Sequence, residues 1–371
     1  MIKPQQFVVL ALATLVTLVV SVALYSSSYR FASGRIDGTS VLPRIAQQEK
    51  QIAAIEIVQG DKKLTLQRAG DVWRVAERDG YPASPARIRE LMTALTDLQL
   101  VEPRTAAKDK WKLLELEDPA VKGAKSREVR ILDAKGQPLG DLIVGKSRYH
   151  AFGPGKNGIY IRRPGEAQTW FAMGEVKGGP ELKDWVALTA FEIASDKIVR
   201  VTIEHPGETP IVVEKGDGKE AKFKLGTPLP EGAKLKQGVQ IDPMATGFAS
   251  IELEDVRRLA QTPAGDKVTV LKLEIDGGLV VTFRVRKDGE ASWLSLAAAG
   301  EGDAAKKQAD AINARAAGWE FKIPQWKVDQ IARRMSDLIE KPEEKKADEK
   351  KPDEPQPVAP KADEPKPAEK Q

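Results

Sequence analysis

Cysteine is absent from all 371 residues, and histidine occurs only at His150 and His205. Without cysteine there is no disulfide, no thiolate nucleophile, no Cys-based zinc site, no iron–sulfur cluster and no lipoprotein acylation site. Two histidines leave almost no room for a His-rich metal site. Neither a metal nor a cofactor is expected. An excess of one charge is also missing, since 58 basic residues face 54 acidic ones. That balance excludes nucleic-acid binding driven by global charge.

What is present is unevenly distributed. Phe7 to Tyr25 is an uncharged, proline-free run of 19 residues. At about 1.5 Å per residue such a helix spans a hydrocarbon core of about 30 Å. It is apolar on every face, which argues against an ordinary core helix. A cleaved signal peptide is the rival reading, but its apolar region usually runs only about 7–15 residues. Ser26-Ser27-Ser28 offers a place to cut, although no clear Ala-x-Ala follows. A retained anchor is therefore expected, with the membrane as partner. Lys3 and the terminal amine precede the span and Arg30 and Arg35 follow it, so the positive-inside count is close to even. A short tail ahead of a large C-terminal domain looks like an export signal-anchor. The expected location is the bacterial inner membrane, single-pass, with a periplasmic domain.

At the other end, Lys341 to Gln371 holds eight Lys, nine Asp or Glu and seven Pro among 31 residues. Such a segment buries too little apolar surface to offset its ordering entropy. A disordered tail is expected, either as a solubilising segment or as a spacer or docking segment. Between the ends, 47 basic and 45 acidic residues leave the middle nearly neutral.

The middle alternates in short strands. Ile52 to Val58 places Ile55 and Ile57 on one face. Leu64 and Leu66 alternate next, and Gly70-Asp71 turns the chain into Val72-Trp73-Arg74-Val75. Ser84 and Pro85 then suit the start of a helix with a stripe of Ile88, Leu91, Met92, Leu95 and Leu98. A similar order recurs downstream. Ile198 to Ile203, Ile211 to Val213 and Lys222 to Leu225 stand for the first three strands, and Asp242-Pro243 for the helix start. Phe248, Ile251 and Leu253 stand for Leu95, Leu98 and Leu100. Further strands follow at Glu128 to Leu132, Leu139 to Val144, Ile159 to Arg162 and Thr169 to Met173 in the first part, and at Val268 to Ile275, Leu279 to Val285 and Trp293 to Leu296 in the second, with Asp276-Gly277-Gly278 and Asp288-Gly289 as hairpin turns. After Asp303 to Ala317, Trp319 to Ile323 reads as an edge strand, and Val328, Ile331, Met335 and Leu338 as one amphipathic helix.

The expected fold class is α+β. It comprises an N-terminal transmembrane helix, two similar lobes of mainly antiparallel sheet with packed helices, and a disordered C-terminal tail. The boundaries are 1–35 for the anchor and flank, 36–185 and 186–340 for the lobes, and 341–371 for the tail.

Several motifs resemble chemistry and fail on context. Gly140-Asp141-Leu142-Ile143-Val144-Gly145-Lys146-Ser147 is a formal Walker A match. A P-loop follows a strand and opens a helix, whereas Asp-Leu-Ile-Val is itself strand-like and Gly153-Pro154-Gly155 follows. Nucleotide binding is not expected. Gly216 to Ala221 resembles a dinucleotide fingerprint but precedes a strand, so it reads as a hairpin turn. His150 and His205 sit near turns and read as surface residues. No Ser-His-Asp order or His-x-x-x-His spacing is present. Glu252-Leu253-Glu254-Asp255 carries clustered carboxylates without a distinguishing geometry. Trp73, Trp111, Trp170, Trp185, Trp293, Trp319 and Trp326 read as core anchors, with an aromatic ligand groove as the alternative. No catalytic, cofactor-binding or metal-ligating residue is assigned.

Taken together, the run Ile52 to Val75, Ser84-Pro85 with its Leu-rich helix, Gly136 to Gly145, Gly158 to Arg162, Asp184-Trp185 and Ser195 to Val201 resemble a bacterial family. It is the one catalogued as domain of unknown function 4340. The resemblance covers roughly Ile45 to Leu259, with weaker continuity to Leu338. It implies an envelope component often associated with ABC-type transport, gliding-motility-like systems included, and carries over no catalytic residue. The expected function is a non-enzymatic binding or auxiliary component of an ABC-type system, with a transporter or other envelope protein as partner. Two alternatives stand beside it: an envelope hydrolase using carboxylates in an inter-lobe cleft, and a structural envelope spacer.

Overall fold

The computed structural model of the protein describes residues 14–22, 38–216, 222–259 and 268–340. Residues 14–22 are helical (α1), and Leu15, Val16, Leu18, Val19, Val20 and Val22 are exposed. Among the described residues no helix is long and apolar enough to cross a membrane. The ends of the span expected over Phe7 to Tyr25, the tail from Lys341 and most of the Gly216–Ala221 turn lie outside the described residues.

The fold is mixed α and β with antiparallel sheets. After α2 (Pro43–Gln47), the chain forms β1 (Ile52–Gln59), β2 (Lys62–Ala69), β3 (Val72–Val75) and β4 (Tyr81–Pro82). The helix α3 (Pro85–Thr96) follows, then β5 (Gln99–Pro103), β6 (Arg127–Asp133), β7 (Pro138–Arg148), β8 (Gly158–Arg162) and β9 (Thr169–Met173). These make a nine-stranded sheet in the order β4-β3-β2-β1-β6-β7-β8-β9-β5. Period-2 patterning fixes the register. Ile55 faces Leu66 and Ile131, and all three are buried, while Glu56, Thr65 and Arg130 form the next row. Pro85 opens α3 at a position where its missing N–H costs nothing, and Ile88, Leu91 and Leu95 are buried. Each such side chain contributes about 1.5–3 kcal/mol. Ser84 occupies the N-cap position but makes no side-chain cap; its N–H donates to Trp185 O at 2.6 Å.

The strand β10 (Thr189–Glu192) leads to β11 (Ile198–Glu204), β12 (Ile211–Lys215) and β13 (Phe223–Leu225). Then come α4 (Asp242–Thr246), β14 (Ser250–Glu252), β15 (Asp255–Arg258), β16 (Thr269–Ile275), β17 (Leu279–Asp288) and β18 (Ala291–Gly300). Next along the chain are α5 (Asp303–Ala316), β19 (Trp319–Ile323), α6 (Gln325–Ile331) and α7 (Met335–Leu338). Eight strands form a second sheet, β13-β12-β11-β16-β17-β18-β19-β15, and β10 pairs with β14 apart from it. One continuous apolar core includes buried residues from both large sheets, from Ile55 and Ile131 to Val201 and Leu273.

Two expectations are corrected. The segment Trp319–Ile323 is not an edge strand: β15 pairs along one side and β18 along the other, so it lies inside the sheet. The single helix expected after it is broken at Ala332–Arg334. His205 Nε2 approaches Arg333 O at 3.2 Å and Asp337 accepts from Arg334 N at 2.9 Å, so tertiary and capping bonds end α6.

Candidate functional site

Charged side chains gather where the β1–β2 hairpin approaches the start of β15. Asp61 comes from the β1–β2 turn, Lys62 and Lys63 from the start of β2, and Arg78 from the turn after β3. Pro180 to Lys183 come from the loop after β9, and Glu254 and Asp255 from the start of β15. They surround a crevice of about 430 Å³. It shares Asp61, Lys62, Glu181 and Lys183 with a hollow of about 550 Å³ that reaches Arg127 and Asp184.

Most acidic groups here are engaged. Glu181 lies between Lys183 and Lys62, with N–O distances of 2.8 and 2.9 Å. Those two ammonium groups, Lys183 first, hold its carboxyl down at about 2. Asp255 accepts from Arg78 Nε at 2.5 Å and from Val256 N at 2.8 Å. Glu254 pairs with Lys322 at 3.1 Å, and Asp184 accepts from Gly179 N at 2.7 Å. Of the Glu252–Asp255 cluster, then, only Glu254 and Asp255 reach the crevice, while Leu253 is buried. Arg127 is the inner cation. Burial lowers its pKa, Asp184 partly offsets this, its Nη2 donates to Val176 O, and its Nε is buried without an acceptor. A site of this kind holds fixed charges of both signs. Glu181, held low by its two lysines, is one such fixed negative charge.

A carboxyl shifted the other way lies elsewhere. Asp141 on β7 is pushed up to about 6, by burial first and then by Glu128, against the attraction of Arg130. Arg130 touches Glu128 at 3.0 Å, Asp141 at 3.3 Å and Glu56 at 3.4 Å, across three neighbouring strands. Asp141 Oδ1 is buried without a partner. Among the described residues no group of His, Asp and Glu is arranged to hold a metal.

The Walker-like string lies wholly within β7. Its glycines are explained by close approach. A Cβ on Gly145 would fall 2.4 Å from Leu114 O, and one on Gly140 would fall 2.9 Å from Ile45 Cδ1. His150 is exposed, with φ +55°, and its Nδ1 accepts from Gly155 N at 3.2 Å.

His205, by contrast, is buried rather than a surface residue. Its Nε2 faces Arg333 O, which can only accept, so Nε2 carries the proton. The Thr269 hydroxyl then donates to Nδ1 at 3.0 Å. A hydroxyl beside an imidazole has the outline of a nucleophile and its base. However, burial lowers the His205 pKa, with Arg334 adding to this against the favourable carbonyls of Arg333 and Ala332. Its two hydrogen bonds make the ring a pin between β16 and the α6–α7 corner. Sequence reasoning missed it because nothing near Pro206-Gly207 signals that the ring turns inward. Of the tryptophans, Trp185 and Trp319 are buried and Trp326 is 63% exposed.

Residues 73–272, more than half of the chain, match the family described as "Domain of unknown function (DUF4340)". The chain belongs to this family. No curated protein and no solved structure matches it. The matched stretch begins in β3 and ends in β16, so the family unit draws on both large sheets.

Proposed function

We propose that the protein is a membrane-tethered, non-enzymatic binding component of the bacterial envelope, auxiliary to an ABC-type transport system, and built from two similar lobes, 36–185 and 186–340. Its crevice is the docking surface. The observation that carries this reading is the pairing of the crevice carboxylates with Lys62, Lys183, Arg78 and Lys322. These charges offer a patterned polar surface to a partner and little chemistry to a substrate.

The two-lobe organisation is supported by strand order. Adding ten to each of β3-β2-β1-β6-β7-β8-β9-β5 gives the second sheet. It is supported locally as well. Both β1 and β11 are entered from a three-residue 3-10 turn, at Glu49–Gln51 and Ser195–Lys197. Both then shift register, between Ile52 and Ala54 and between Ile198 and Arg200. The tether is supported by α1, whose exposed apolar side chains require an apolar environment.

Photo-crosslinking groups placed at Lys63 and Glu254 in intact cells test this reading. Adducts with a permease or ATPase subunit, absent when the group is placed at Lys146, are the expected result. Absence of a reproducible membrane-protein adduct from both crevice positions overturns it. A periplasm-active alkaline phosphatase fused to the C-terminus checks the topology.

A further inference from the structure

A second hollow, of about 570 Å³, lies against the pin described above and plays no part in the docking surface. His205, Thr269, Val285, Val328 and Ala332 line it. They come from the ends of β11, β16 and β17 and from the α6–α7 corner, which are brought together only by the fold. Its size falls within the range of roughly 300–1,000 Å³ typical of small-molecule sites. The wall is pre-formed, because His205 joins Thr269 to the Arg333 carbonyl.

Charge decides what fits. Asp329 and Asp337 border the hollow, and each accepts from a neutral donor that leaves its charge in place. Asp329 Oδ1 accepts from Gln325 Nε2 at 2.7 Å, and Asp337 Oδ2 accepts from Arg334 N at 2.9 Å. The Arg334 guanidinium is paired with Glu208. Two cations remain without a carboxylate. Arg333 Nη1 reaches only Gln240 O, at 3.2 Å, and Lys287 has no hydrogen bond or ion pair among the described residues. Lys287, Arg333 and Arg334 outnumber Asp329 and Asp337 in the wall, so an anion is favoured over a cation. A fully hydrophilic ion would leave Val285, Val328 and Ala332 without contact.

The geometry points to this hollow as a binding site for a small organic anion with a short apolar body. Lys287 and Arg333 take the anionic head, by the charge-assisted hydrogen bonds that carboxylate and phosphate share. Val285, Val328 and Ala332 receive the body. This site stands apart from the envelope reading, since it needs no partner protein.

Equilibrium dialysis of the full chain in lipid nanodiscs, with empty nanodiscs subtracted, tests it. The probes are hexanoate, hexyl phosphate and hexylammonium. Saturable binding of at least one anion and none of the ammonium is expected, and the preferred anion identifies the head group. Lys287→Gln and Arg333→Gln should each weaken binding by about tenfold. Ala332→Leu should weaken binding by taking up part of the apolar wall while leaving the charge of the hollow unchanged. Wild-type melting temperatures in these variants confirm that each one folds. Saturable binding of neither anion, equal binding of hexylammonium, or unchanged affinity in both Gln variants overturns the proposal.

Discussion

At the scale of single residues, two titrating groups give pH signatures of opposite sign. His205 binds a proton less readily in the fold than its ordinary value of 6.5 because burial and Arg334 oppose the charge. As pH falls below 6.5 the unfolded chain takes up a proton that the fold refuses. Stability is therefore complete above that point and declines toward the lower folded value. Asp337 and the carbonyls of Arg333 and Ala332 face the ring and soften this without reversing it. His205→Gln should flatten that slope in urea unfolding between about pH 5 and about pH 7.5. His205→Ala should cost about 1–3 kcal/mol, since the Arg333 carbonyl loses its donor. Asp141 acts the other way. Its folded value of about 6 lies above its ordinary 3.8, so the fold holds a proton the unfolded chain has released. Its contribution is present at low pH and is lost as pH rises through that window. Asp141→Asn should therefore stabilise the protein at neutral pH by something on the order of 1 kcal/mol and by little near pH 4. Paired melts at the two pH values check this. A destabilised variant at neutral pH would show that Arg130 depends on the Asp141 charge for more than Glu56 and Glu128 supply.

At the scale of elements, the contact between β7 and the 3-10 segment Lys108–Leu114 shows why a phosphate-loop spelling carries no phosphate chemistry. Gly145 lies directly beneath the Leu114 and Glu115 carbonyls. Backbone cannot yield there as a flexible side chain would. Gly145→Ala must lift the segment and open the small core of Leu116, Ile143, Tyr160 and Phe171. A loss of about 1–3 kcal/mol in denaturant unfolding is expected, against less than about 0.5 kcal/mol for Lys146→Ala. Equal effects at the two positions would remove the packing explanation. The same scale shows what was legible in the sequence. Strands β1 to β3, β6 to β9, β11, β12, β16 and β17 were readable because alternation is local. β10, β14 and β15 were not, because Thr-Ala-Phe-Glu, Ser-Ile-Glu and Asp-Val-Arg-Arg are too short to carry a period and exist through their partners. The break between α6 and α7 was hidden because the apolar spacing runs on through it. The crevice was equally hidden. Its residues are exposed polar side chains on separate loops, and only Glu254-Asp255 had drawn notice, without a partner to give it meaning.

At the scale of the whole molecule, the question is what makes the two large sheets fold together. Directional contacts join them at one side. Arg78 meets Asp255, Asp79 accepts from Arg258 N at 3.4 Å, and Tyr81 stands edge-on to Trp319 with ring centroids 4.9 Å apart. The Arg258 guanidinium covers the Trp319 ring at 4.0 Å. These are modest. A partly exposed ion pair is worth about 0–1 kcal/mol and an aromatic edge contact about 0.5–1.5 kcal/mol. The continuous core is larger, because each fully buried Leu, Ile, Val or Phe contributes about 1.5–3 kcal/mol and both sheets supply many. The core should therefore set cooperativity, while the edge contacts trim stability. Arg78→Ala and Tyr81→Ala are expected to lower the urea midpoint and leave a single transition with an unchanged slope. Tryptophan fluorescence, to which all seven tryptophans contribute, and the backbone, followed by circular dichroism, should report the same midpoint. If either substitution separated the two signals, the sheets would be independent units held by the Arg78 and Tyr81 contacts, and the shared core would contribute little to their union.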